Sequence, residues 1–134
     1  MTSETPRERR KLKQVLVVED DLEIRESLAE LLRLDGYGVT TAGNGYQALS
    51  VLKEMETLPA LIILDILMPE MDGLEFLRKR QGEARLKSIP TVVLTCNETN
   101  EASAMKLGAN SFLQKPVEAE HLLQSARKLC QEKA

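Results

Sequence analysis

Apolar residues recur along this chain with two alternating periods. Short runs read as strands: Val15-Leu16-Val17-Val18, a β-branched apolar run read as buried, the weaker Val39-Thr40-Thr41, Leu61-Ile62-Ile63-Leu64 (the clearest), Thr91-Val92-Val93-Leu94, and Ser111-Phe112-Leu113. Between them, apolar positions fall at helical spacing. These are Ile24, Leu28, Leu31 and Leu32; Ala48, Leu52 and Met55; Leu74 and Leu77; Ala102 and Met105; and Leu122, Ala126 and Leu129. Asp20 or Asp21 can cap the first helix, with Asp21 preferred; Asn44 can cap the second, and Asp72-Gly73 opens the third. Gly36, Pro59 and Gly108 mark stops.

Strand and helix thus alternate five times along the chain. Such alternation predicts an α/β fold with a parallel sheet covered by helices on both faces. Right-handed crossovers leave few topologies. A flavodoxin-like (βα)5 three-layer sandwich with strand order 2-1-3-4-5 is the first choice. Residues 14–133 form one expected domain, with no internal repeat and no room for a second domain after the last helix. Residues 1–13 form a polar, charged arm; its plain reading is a solvated tail, and its functional reading is a dock for an acidic partner or a membrane surface.

Composition narrows the picture. A chain of 134 residues can bury a core without metals or disulfides. The absence of Trp and an aromatic content of 3% predict an aliphatic core of Leu, Ile, Val, Met and Ala. A net charge of −3 argues against direct nucleic-acid binding. No apolar run approaches the ~18 residues of a membrane span, so no membrane insertion is expected, and the polar N-terminus is not a secretory signal. Cys96 and Cys130 lie far apart with no metal-binding spacing, and read as reduced thiols of a cytoplasmic protein. His121, the single histidine, reads as a surface residue of the last helix.

The candidate chemistry lies where the strands stop. In an open parallel sheet, ligands bind beyond the carboxyl ends of the strands near the switch in strand order. Strand one ends in Glu19-Asp20-Asp21, strand three in Asp65, strand four in Thr95, and strand five in Lys115-Pro116. Each residue alone has a plain reading: a helix cap, a loop opener, a turn threonine, a surface lysine. Together at one sheet end they suggest a site. Crowded carboxylates repel one another, and a divalent cation relieves this. Glu19, Asp20 and Asp65 offer hard oxygen ligands suited to Mg²⁺, and no His or Cys stands near them in sequence to suggest zinc. A phosphoryl group brings roughly −1.5 to −2 charge and three acceptor oxygens. Lys115 supplies a cation for it and Thr95 a hydroxyl. An aspartate carboxylate, already deprotonated, is a competent nucleophile toward phosphorus.

These residues stand in the segments VLVVEDD (15–21), LIILDILMPEMDGLEFL (61–77), VVLT (92–95) and LGANSFLQKP (107–116). In that order and spacing the chain resembles the receiver domain of two-component response regulators, most closely the single-domain kind, over residues 14–131. The resemblance implies that Asp65 is the phospho-acceptor and that Glu19 and Asp20 hold Mg²⁺, Asp20 directly and Glu19 through water. It implies that the backbone carbonyl of Leu67 completes the protein's ligands. Lys115 would pair with the phosphoryl oxygens, Thr95 would bond to the phosphoryl group, and Phe112 would be the switch aromatic. It also implies a cis peptide between Lys115 and Pro116. The phosphodonor would be a histidine kinase or a histidine phosphotransfer protein. The readout would be the face of helix four, strand five and helix five, acting on a downstream protein target that the sequence does not name. The chain would be a phospho-acceptor rather than a turnover enzyme.

Several features depart from the common pattern. The segment from Thr95 to Gly108 is slightly shortened, on the expected output face. Phe112 lacks the hydroxyl of the tyrosine often found there. Cys96 follows Thr95 where a small residue is usual, and reads as packed rather than redox-active. Leu67 and Asn97 occupy positions that tune phosphoryl lifetime, and the apolar Leu67 suggests slower hydrolysis. Whether the last helices pair two copies into a homodimer is left open. Three other functions compete. A phosphorylation-independent receiver-like adaptor is disfavoured by the intact set Asp20, Asp65, Thr95 and Lys115. A Mg²⁺ phosphohydrolase would need a cap domain, and a flavodoxin-like carrier would need a Gly/Ser/Thr-rich loop after strand one.

Overall fold

The structure, a computed structural model, describes Thr5, residues 13–96 and residues 98–130, with residues 98 and 99 as backbone only. Most of the expected N-terminal arm therefore lies outside the described residues, as do Asn97 and residues 131–133.

The strands are β1 (Gln14–Val18), β2 (Gly38–Ala42), β3 (Leu61–Asp65), β4 (Thr91–Thr95) and β5 (Ser111–Gln114). They alternate with helices α1 (Leu22–Leu34), α2 (Gly45–Glu54), α3 (Gly73–Gln81), α4 (Glu98–Lys106) and α5 (Ala119–Leu129). All strand pairings are parallel and the sheet order is β2-β1-β3-β4-β5, as the alternation predicts.

The pleat divides the core in two. Val15, Val17, Leu61, Ile63, Val92 and Leu94 face α1 and α5, where they meet Leu28, Leu32, Leu122 and Ala126. Leu16, Val18, Ile62, Leu64 and Val93 face the other way, onto Ala48, Leu52, Phe76, Leu77 and Ala104. Both faces are covered, which is why β1, β3 and β4 read as unbroken apolar runs rather than alternating ones. Each fully buried Leu, Ile or Phe here contributes about 1.5–3 kcal/mol of transfer free energy. β2 and β5 are the edge strands, and the residues of β5 alternate between half-buried and exposed.

The helix starts are set by short acidic or amide side chains. Asp21 Oδ1 accepts from the Ile24 amide at 3.1 Å, Asn44 Oδ1 from Gln47 at 2.9 Å, and Asp72 Oδ1 from Glu75 at 2.9 Å. Asp21 rather than Asp20 is thus the α1 cap, which leaves Asp20 available for other work.

Three expectations need correction. The core is not wholly aliphatic: Phe76 is fully buried and Tyr37 nearly so. On α3, Gly73, Phe76, Leu77 and Arg80 are buried at helical spacing, while Leu74, beside that stripe, is only partly buried. On α4, Ala102 and Met105 are exposed, and Ala104 and Glu101 are buried instead. The sequence of α4, ETNEASAMK, has no apolar stripe, and close packing against the sheet selects the small Ala104 rather than the larger Met105.

One residue fixes how closely α3 approaches the strand that carries Asp65. A Cβ on Gly73 would lie 2.5 Å from the Asp65 carbonyl oxygen and 2.8 Å from the Ile66 Cα, both backbone atoms that cannot rotate away. The Gly73 amide also donates to the Ile66 carbonyl at 2.8 Å. Gly73→Ala is therefore expected to destabilise the domain by about 2–3 kcal/mol through overpacking, read as a lower urea midpoint at unchanged slope; an unchanged midpoint would contradict this packing.

Candidate functional site

Register assembles the site. Val18 pairs with Leu64, so Glu19 emerges beside Asp65 at the carboxyl end of the sheet. Asp65 pairs with Leu94, so Thr95 follows on the other side. The Lys115 amide donates to the Thr95 carbonyl at 2.9 Å, which brings the end of β5 into the same row. Glu19, Asp65 and Thr95 are buried, at 1%, 2% and 2% exposure, whereas Asp20 is exposed.

The side chains converge as the strand ends predict. Carboxylate oxygens of Glu19, Asp20 and Asp65 lie within 4.8 Å of one another. The Lys115 ammonium stands 2.8 Å from Asp65 Oδ1 and 3.4 Å from Glu19 Oε1. Burial, together with the hydrogen bond and negative charge of Asp65, raises the Glu19 carboxyl to about 8, against the opposing pull of Lys115 and the Asp21 amide. Burial acts against the charge on Lys115, but the hydrogen bonds and charges of Asp65 and Glu19 prevail and its affinity for the proton rises. Buried and crowded carboxylates of this kind form a donor set that fits a hard divalent cation such as Mg²⁺. Every donor is an oxygen, and one face, at Asp20, opens to solvent.

A family model described as the response regulator receiver domain matches residues 15–127. The chain belongs to that family. Among its relatives, this receiver domain is 35% identical over 118 residues to an uncharacterized 14.6 kDa protein in the sodA1 3′ region of Leptolyngbya boryana, covering 87% of this chain and 88% of that protein. It is 36% identical over 117 residues to the response regulator MprA of Mycobacterium tuberculosis, covering 86% of this chain and 49% of that protein. The chain thus spans about half the length of MprA. The chemotaxis response regulator CheY4 of Vibrio cholerae superposes with a TM-score of 0.80 at 30% identity, over 87% of this chain and 98% of that one. A response regulator receiver protein from Pseudomonas putida gives a TM-score of 0.80 at 30% identity, over 87% of this chain and 96% of that one.

The remaining expected residues of the receiver domain lie around this centre. Leu67 is in the loop after β3, with its side chain 59% exposed. Phe112, on β5, is 41% exposed and points away from the core. The Lys115–Pro116 peptide is cis. His121 is exposed on α5, and Cys130 is buried, but Cys96 is exposed, against the packed position expected for it; the described residues hold no helix long and apolar enough to cross a membrane.

Some supporting contacts were not legible in the sequence. Arg25, one turn into α1, donates from Nη1 to the Glu19 carbonyl at 2.9 Å and steadies the backbone that presents the acidic pair. A side chain that binds a backbone carbonyl leaves no complementary residue to search for. Arg80 is 2% exposed and donates from Nη2 to the Ile89 carbonyl at 2.7 Å, although its neighbours Arg78 and Lys79 suggest an ordinary basic helix end.

The raised Glu19 carboxyl carries a pH consequence. Such a group favours folding fully below the ordinary carboxyl range and loses that contribution as pH rises through its folded-state value. Between 4.5 and about 8, the metal-free domain is expected to lose stability on this account. A divalent cation held by these carboxylates would replace the proton, so millimolar Mg²⁺ should raise the melting temperature more at the top of that window than at its bottom. Thermal unfolding followed by circular dichroism at both ends of the window checks this; an equal Mg²⁺ shift at both would refute it.

Proposed function

We propose that this receiver domain is a phosphorylation switch whose acceptor is Asp65. The observation that carries the reading is the placement of the Lys115 ammonium 2.8 Å from Asp65, beside three carboxylates within 4.8 Å of one another. In this reading Glu19, Asp20, Asp65 and the Leu67 carbonyl hold Mg²⁺, which would neutralise the acids and the incoming phosphoryl oxygens.

The chain's own residues do the rest. An Asp65 carboxylate oxygen attacks phosphorus as the P–N bond of a phosphohistidine breaks. The electron pair leaves on the imidazole nitrogen, and Asp65 becomes an acyl phosphate. The loose transition state asks mainly for positioning and charge stabilisation. Lys115 meets that need by passing its ion pair from the Asp65 carboxylate to a phosphoryl oxygen, and Thr95, on the adjacent strand, donates its hydroxyl to another. These contacts exist only with phosphate present, so they shift the population toward a state in which Thr95 and Phe112 have moved.

The donor is a histidine kinase or histidine phosphotransfer protein, which places the reaction in the cytoplasm where ATP charges the kinase. The face of α4, β5 and α5, with Met105 and Phe112 exposed on it, passes the change to a downstream protein or to a second copy in a homodimer.

Acetyl phosphate tests this directly. With Mg²⁺, intact mass should show a gain of one phosphoryl group in the wild-type protein, with none in Asp65→Asn and none when the metal is chelated. A protein that neither gains the group nor binds Mg²⁺ would overturn the reading in favour of a phosphorylation-independent adaptor.

A further inference from the structure

The loop between β3 and α3, residues 66–72, carries Leu67 and follows Asp65 directly. Its buried residues anchor it: Met68 and Met71 point into the core, and the Gly73 amide closes it onto Ile66. Its outer stretch is exposed at Leu67, Pro69 and Glu70. Glu70 has φ 67, the only non-glycine residue in the left-handed region among those described. An L-residue pays a steric cost there, and persists only where its surroundings hold it.

A neighbouring loop supplies that hold. Asn44 Nδ2 donates to Glu70 Oε2 at 3.1 Å. Among the described residues this is the only side-chain hydrogen bond that reaches residues 67–70. The other end of the same amide, Oδ1, caps α2 by accepting from Gln47. Beside it the Gly45 amide donates to the Met71 carbonyl at 3.1 Å, and a Cβ on Gly45 would lie 2.6 Å from the Met71 side chain. The loop before α2 is thus fitted closely against the loop that leaves Asp65.

We infer that Asn44, through Glu70, is a positioning residue for the metal and phosphoryl site, fixing the β3–α3 loop so that the Leu67 carbonyl is ready for the cation. The inference rests on the Mg²⁺-dependent reading of that site. Asn44 touches neither metal nor substrate. It acts as an outer partner that orients a ligand, and loss of such partners typically weakens metal binding.

Asn44→Asp separates the two roles of the amide. Aspartate caps a helix as well as asparagine does, but it cannot donate to Glu70 and repels it. Mg²⁺ affinity is read by calorimetry and by the Mg²⁺ dependence of melting. The dissociation constant should rise about tenfold at temperatures where both proteins are fully folded. An added negative charge alone would favour the cation, so the expected loss runs against the simple charge effect. Glu70→Ala, which leaves the α2 cap untouched, should show the same weakening. Glu70→Gln removes the charge, keeps the acceptor, and should bind like wild type. Wild-type affinity in Asn44→Asp, or equal losses in Glu70→Gln and Glu70→Ala, would overturn the inference alone. A wild-type protein that binds no Mg²⁺ would remove the site reading and this inference with it.

Discussion

Two carboxyl groups buried side by side, Glu19 and Asp65, set the terms for this molecule. They sit at the ends of adjacent strands inside a sheet covered on both faces, where water cannot screen their repulsion. Lys115 answers part of that charge from the end of β5, and burial beside Asp65 raises the affinity of the Glu19 carboxyl for a proton. The chain therefore folds around a centre short of positive charge. Its exposed side is at Asp20.

The architecture and the central residues were legible because both follow from one geometric fact. In a parallel sheet every strand runs the same way, so the residues that end the apolar runs of β1, β3, β4 and β5 must gather at one edge. Glu19, Asp65, Thr95 and Lys115 could be found by asking what each run ends in. The caps at Asp21, Asn44 and Asp72 were readable because each lies just ahead of a periodic stretch.

What was hidden has physical reasons too. The buried face of α4 is carried by Ala104 and Glu101, and neither stands out by hydropathy from the exposed Ala102 and Met105. Arg80 resembles a helix-end cation, yet it is enclosed, with Nε and Nη1 lacking partners among the described residues. Asn44 announced itself only as a cap, because its second partner, Glu70, lies on another loop. Contacts between loops depend on the completed tertiary structure, and no local period encodes them.

The division of the core by the pleat of the sheet reaches beyond stability. The side chains that support α1 and α5 and those that support α2, α3 and α4 are separated by a single layer of backbone. Each surface can be recut without repacking the core beneath the other. Only the row of residues at the sheet's carboxyl edge belongs to both. A lineage that keeps this edge can exchange one set of partners while retaining the other, and the same centre can be wired into new circuits one side at a time.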